Sequence, residues 1–290
     1  MTLSKRWQSS VVASVLLLLG QSAEAVVLYG NDTGGTTGNT VAPTNGAPWN
    51  YVAGIDENNA SGVYLGNGYV LTANHVTGPL ASASINGSVY AIDQSYVPLQ
   101  IGGADIKLLR IVGDPGLAPL ALIGSKDDDT GKNATFVGWG VGKGSEIPNQ
   151  GWNWGDDSTH LQRWGENTTN SSYVTSDGLS MLATAFNRSG GFGEDEFSLS
   201  LGDSGGGLFI KYGSTWKLAG IAAGVEISGQ ALYDKDPVAL FDQPGISVYT
   251  PVKLYRDAII SAIPEPSSGC LGLAGAAALL GRMRLRRNRG

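Results

Sequence analysis

Apolar and polar positions alternate in short bursts along this chain, and helical spacing is rare. The segment "SGVYLGNGYVLTANHV", residues 61–76, sets two apolar runs around Gly66-Asn67-Gly68. "SINGSVYAIDQSYVPLQI", residues 84–101, repeats the arrangement around Asn86-Gly87. Asn-Gly between apolar runs predicts a hairpin, because both residues tolerate the positive φ of a tight turn. "ADIKLLRIV" (104–112), "NATFVGWGVG" (133–142) and "TWKLAGIAAGVEI" (215–227) read as further strands. Only "TPVKLYRDAIISAI" (250–263) carries helical spacing, at Tyr255, Ile259 and Ile263, with Thr250 as the predicted cap and Pro251 at the first helical position. No period of 20–50 residues recurs, which argues against a solenoid or a propeller. The pattern is that of an all-β protein with a closing helix. The stretch from Val141 to Gly178 reads as an inserted polar loop region, and 26–50 as irregular chain.

Composition agrees with many short strands: 43 of 290 residues are Gly, and 15% are charged against about 25% in an average domain. The single cysteine, Cys270, leaves the folded part without a disulfide, so packing alone must hold it. Residues 26–263 hold 12 of the 19 Lys+Arg and 23 of the 25 Asp+Glu. That acidic balance argues against nucleic acid or anionic lipid as the partner of the folded part.

The ends read as addresses. Residues 1–25 have a basic start at Lys5 and Arg6, an apolar run from Val11 to Leu19, and small residues at Ala23 and Ala25, predicting a signal peptide cut after Ala25. Residues 264–290 join Pro264-Glu265-Pro266 to a short apolar stretch and an Arg-rich tail. A basic tail behind a short apolar segment stays cytoplasmic under the positive-inside rule. The chain is therefore expected to be exported to the periplasm, cell surface or exterior. The order Pro-Glu-Pro, apolar, Arg resembles the PEP-CTERM sorting signal, which implies an exosortase-type enzyme and the inner membrane as transient partners of the C-terminus.

Three segments carry chemistry. Hydrolysis through a serine needs a base within hydrogen-bond reach, a group that holds the base, and amides aimed at the developing oxyanion. Of the two histidines, His75 follows the strand run "YVLTANHV" and can face a cleft, whereas His160 in "GDDSTHLQ" reads as a solvated surface residue. Asp105 opens a strand beside a buried face, where a carboxylate requires a partner. Ser204 lies in "GDSGGG", whose Gly205 and Gly206 allow unusual backbone and close approach of a substrate. The amides of Gly202 and Ser204 are the oxyanion-hole candidates.

"LTANH", "ADIKLLRI" and "GDSGG", in the order His, Asp, Ser, resemble the signature segments of the trypsin/chymotrypsin family, and "FVGWG" and "GISVYTPVKLYRDAI" add weaker echoes over roughly residues 50–262. The resemblance implies two perpendicular six-stranded antiparallel β-barrels, about 26–125 and 126–250, with a helix at about 251–263. It implies a serine endopeptidase acting on protein or peptide substrates without cofactor or metal. His75 would be the base, Asp105 its anchor and Ser204 the nucleophile, with Asp203 a conformational switch. The substrate pocket would be built from Ser198, Ala223 and Gly224. Ala222 and Ala223 depart from the family, which usually has a serine followed by an aromatic there. Signal cleavage would expose Val26-Val27, an amine that could reach Asp203, although Leu28 and Tyr29 stand where the family has glycines. The rival expectation is a protease-shaped surface or matrix protein with a vestigial triad, binding a partner through Trp152, Trp154 and Trp164. Those tryptophans read first as buried, "KDDDTG" (126–131) as a solvated turn rather than a calcium loop, and Glu194-Asp195-Glu196 as a solvated acidic loop.

Overall fold

The computed structural model describes residues 26–30, 38–57, 59–174, 178–188, 191–238 and 243–264. The predicted signal peptide and all of the sorting signal beyond Pro264 lie outside the described residues. Among the described residues no helix is long and apolar enough to cross a membrane.

After the two-residue strand β1 (Val27–Leu28) come β2 (Val52–Ile55), β3 (Ala60–Gly66), β4 (Tyr69–Thr72), β5 (Ser82–Ile85), β6 (Ser88–Ala91), β7 (Leu99–Gln100) and β8 (Lys107–Arg110). Strands β2 to β8 form one antiparallel sheet in the order β6-β5-β2-β3-β4-β8-β7. Both predicted hairpins are present. Asn67 and Gly68 between β3 and β4, and Asn86 and Gly87 between β5 and β6, all have positive φ. Such turns match the twist of the flanking strands. Side chains alternate between two buried clusters: Val63, Leu71 and Leu108 face one, while Tyr64, Val70 and Leu109 face the other. That is why these strands read as continuous apolar runs.

The second half contains β9 (Asn133–Gly138), β10 (Lys143–Ile147), β11 (Gly151–Trp154), β12 (Arg163–Thr168), β13 (Asn170–Val174), β14 (Ser180–Ala185), β15 (Phe197–Ser198), β16 (Gly207–Tyr212), β17 (Thr215–Val225), β18 (Gln230–Leu232) and β19 (Ile246–Pro251), then helix α1 (Val252–Ala262). Seven of these strands form a second sheet, β12-β9-β16-β17-β19-β14-β13. Its outermost strands, β12 and β13, are consecutive in the chain and joined through Thr169, so the sheet curls until its edges approach. Neither sheet closes into a barrel. In the first sheet, a lone bridge between Ile92 and Ile111 links the chain after β6 to the chain after β8. Leu120 to Ile123 cross from one sheet to the other, hydrogen-bonding Leu65 and Leu218. The main core lies between the sheets, where Val52, Leu71 and Ile106 meet Phe136, Phe209 and Ile221.

The chain is all-β with one C-terminal helix, and several local expectations need correction. The stretch 141–178 is not an inserted loop but carries β10 to β13. Its strand character was hidden because buried Arg163 and Asn167 satisfy carbonyls instead of filling an apolar face. Thr250 does not cap the helix. It stays in β19, paired with Ile221, and Pro251 takes the cap position in an extended conformation. Trp152 packs with Tyr29, Phe186 and Tyr233, and Trp164 donates to the Val41 carbonyl while packing on the main core. The three aspartates of 127–129 pair with Lys217, Lys132 and Lys253. Glu196 departs from its acidic neighbours: it is 1% exposed, and burial pushes its carboxyl up.

Candidate active site

Strands β4 and β8 are antiparallel neighbours, with Thr72 opposite Lys107. The chain leaving β4 and the chain approaching β8 therefore lie at the same end of the sheet, which puts His75 beside Asp105. The His75 amide donates to Asp105 Oδ1 at 2.9 Å, and its Nδ1 lies 2.7 Å from Oδ2. A carboxylate only accepts, so Nδ1 carries the ring proton and Nε2 is left as an acceptor. Nε2 lies 2.8 Å from Ser204 Oγ. An imidazole in this tautomer can take the hydroxyl proton as the oxygen attacks.

Ser204 arrives from the second half, on the loop before β16. That loop is fixed to both halves: Ser61 donates its amide to the Ser204 carbonyl, and Gly205 donates to Ala222. Gly205 has φ +89°, and a Cβ there would fall 2.1 Å from the Ser61 carbonyl oxygen, so only glycine fits. The amides of Gly202 and Ser204 have no protein acceptor among the described residues. Asp203, between them, is fully buried and receives the Gly140 amide, the Ser200 amide and the Ser200 hydroxyl. Burial drives its carboxyl up to about 7, against these hydrogen bonds and the Arg163 charge.

A scan of protein-family models finds none that matches this chain, and no curated protein matches it.

A cleft of about 370 Å³ opens beside His75 and Ser204, lined by Ile55, Asp56, Val76, Pro79, Leu201 and Gly202 among others. Ser198, Ala223 and Gly224 do not line it. Ser198 is 4% exposed, paired with Val27 of β1. Ala223 and Gly224 are half-buried in β17, where the register with β19 shifts. Val26 and Val27 are fully buried as well.

Three residues of this region escaped sequence reading. His160 is not solvated: its side chain is 9% exposed, and Nδ1 donates to the Trp139 carbonyl at 2.8 Å. Ser61 Oγ accepts from the Trp139 amide and donates to the Gly202 carbonyl. Lys107 is 7% exposed. Of these, only Lys107 had a signal, as a cation inside the apolar stretch "IKLL".

Proposed function

We propose that this chain is a serine endopeptidase of the trypsin/chymotrypsin type. The observation that carries the reading is the continuous chain Asp105 Oδ2, His75, Ser204 Oγ, with contacts of 2.7 and 2.8 Å. Ser204 Oγ attacks the peptide carbonyl while His75 Nε2 accepts its proton. The tetrahedral oxyanion is met by the amides of Gly202 and Ser204. Collapse expels the amine, which takes the proton from His75, and leaves an acyl-enzyme that water hydrolyses by the same steps. Asp105 holds the tautomer and stabilises the imidazolium.

The two-barrel architecture belongs to this reading. It is supported by the Ile92–Ile111 bridge in the first half and by the curled second sheet with its consecutive edge strands. Export, exosortase processing and a cell-surface or extracellular destination are part of the same proposal and rest on the two terminal segments. Buried Val26 and Val27 support a mature N-terminus that docks in the second half.

Fluorophosphonate labelling of the folded protein tests the activity. Labelling is expected in the wild type, absent in Ser204→Ala and about 10²-fold slower or more in His75→Ala. A folded wild type that takes no label, and cleaves nothing in a peptide library, would instead be a binding protein with a vestigial triad.

A further inference from the structure

Lys107 is a buried cation that the triad chemistry does not use. It opens β8 two residues after Asp105, which sits in the bend leading into that strand. Both side chains act on the same short segment. Asp105 takes the amide and Nδ1 of His75. The Lys107 ammonium donates to the Asn74 carbonyl at 3.2 Å and to the Val76 carbonyl at 2.5 Å, the carbonyls of the residues before and after His75. No carboxylate lies within ion-pair distance of it among the described residues. Burying an ammonium on carbonyl oxygens is unfavourable, and burial pulls its proton affinity down against the opposing charge of nearby Asp105. A Leu or Met would fill the same space without that penalty.

Beyond Thr72 the chain carrying His75 has left the β-ladder, and its one local backbone bond runs from the Val76 amide to Ala73. The half-exposed imidazole itself is bonded to Asp105 and Ser204, and its backbone segment is otherwise tied down only by the His75 amide on Asp105 and that single turn. We propose that Lys107 is a positioning residue for His75, clamping both flanking carbonyls so that Nε2 stays on line with Ser204. This rests on the peptidase reading above. A displacement of about 1 Å at a reacting group lowers turnover by up to about 10²-fold, which is the scale at which such a clamp matters.

The test is Lys107→Met in the intact folded protein, with Lys107→Gln beside it to keep a donor without the charge. The chain has only two histidines, so ¹⁵N-imidazole spectra resolve the His75 Nδ1 proton directly. In Lys107→Met that proton is expected to broaden through solvent exchange, and kcat on a peptide substrate to fall about tenfold or more with KM within about twofold. Lys107→Gln is expected to recover part of both signals. If Lys107→Met does not fold, Lys107→Gln is then expected to give an intermediate loss of both signals. Wild-type kcat and a wild-type Nδ1 proton in the folded variants would overturn the proposal. If the wild type itself proves inactive, the peptidase reading fails, and the Nδ1 proton still decides whether Lys107 holds His75.

Discussion

The imidazole of His160 lies directly on the α-carbon of Gly202: a Cβ built there would fall 2.5 Å from His160 Cε1 and 2.8 Å from Nδ1. Gly202 also has φ +93°, a conformation other residues rarely adopt. Gly202→Ala must therefore rotate the loop or displace the ring, and either movement redirects the amide proposed to meet the oxyanion. Fluorophosphonate labelling of folded Gly202→Ala is expected to slow about 10²-fold. Adding His160→Ala removes the clash with the ring and leaves the backbone strain and the close Gly140 α-carbon at 3.1 Å, so the double variant should regain part of the rate.

Asp203 ties stability to pH. Its carboxyl is raised from 3.8 to about 7 by burial. Below 3.8 both folded and unfolded chains hold the proton, and between 3.8 and about 7 only the folded chain does. The stability it contributes is thus fully present at low pH and is lost as pH rises toward about 7. The loss is on the order of a few kcal/mol. Thermal unfolding of Asp203→Asn is expected to show a flatter profile over this window than the wild type.

Ser61 joins the halves at the loop that carries Gly202 and Ser204. Its hydroxyl accepts from the Trp139 amide at 2.9 Å and donates to the Gly202 carbonyl at 2.8 Å, with the residue fully buried. Ser61→Ala leaves both groups without that partner, a loss of about 1–3 kcal/mol. Urea unfolding should register it, and labelling of Ser204 should slow because Gly202 is no longer held.

Tyr29 anchors the N-terminal strand in an aromatic cluster, with ring centroids 5.5 Å from Tyr233, 6.0 Å from Trp152 and 6.3 Å from Phe186. Lys143 reaches the carbonyls of Tyr29 and Gly30 and lies 3.9 Å over the Trp152 ring. Tyr29→Ala is expected to destabilise the protein by about 2–4 kcal/mol in urea unfolding, whereas Tyr29→Phe, which keeps the ring, should stay within about 1 kcal/mol.

Much of the local structure was legible. Asn67-Gly68 and Asn86-Gly87 turn the chain where their dipeptides say, because backbone freedom is a property of the residues themselves. His75 stood out at a strand exit, Asp105 as a carboxylate beside a buried strand face, and Ser204 by the glycines that follow it. The hidden parts share one cause. Arg163, Asn167, Glu196, His160 and Lys107 are polar residues in buried or largely buried positions, and a polar residue reveals its burial only through partners far away in sequence. Asn167, for example, is held by the carbonyls of Ala185 and Phe197, and His160 by that of Trp139.

By itself, then, the sequence determined the all-β class, the hairpin turns, the closing helix and the three residues proposed as base, anchor and nucleophile. These depend on φ preference, periodicity and functional groups, all carried within a few residues. Only the tertiary structure decided that His75 and Ser204, 129 residues apart, come within 2.8 Å, and that Lys107, Ser61 and His160 surround them. Such meetings depend on strand register and on the packing of two sheets, which no local pattern encodes.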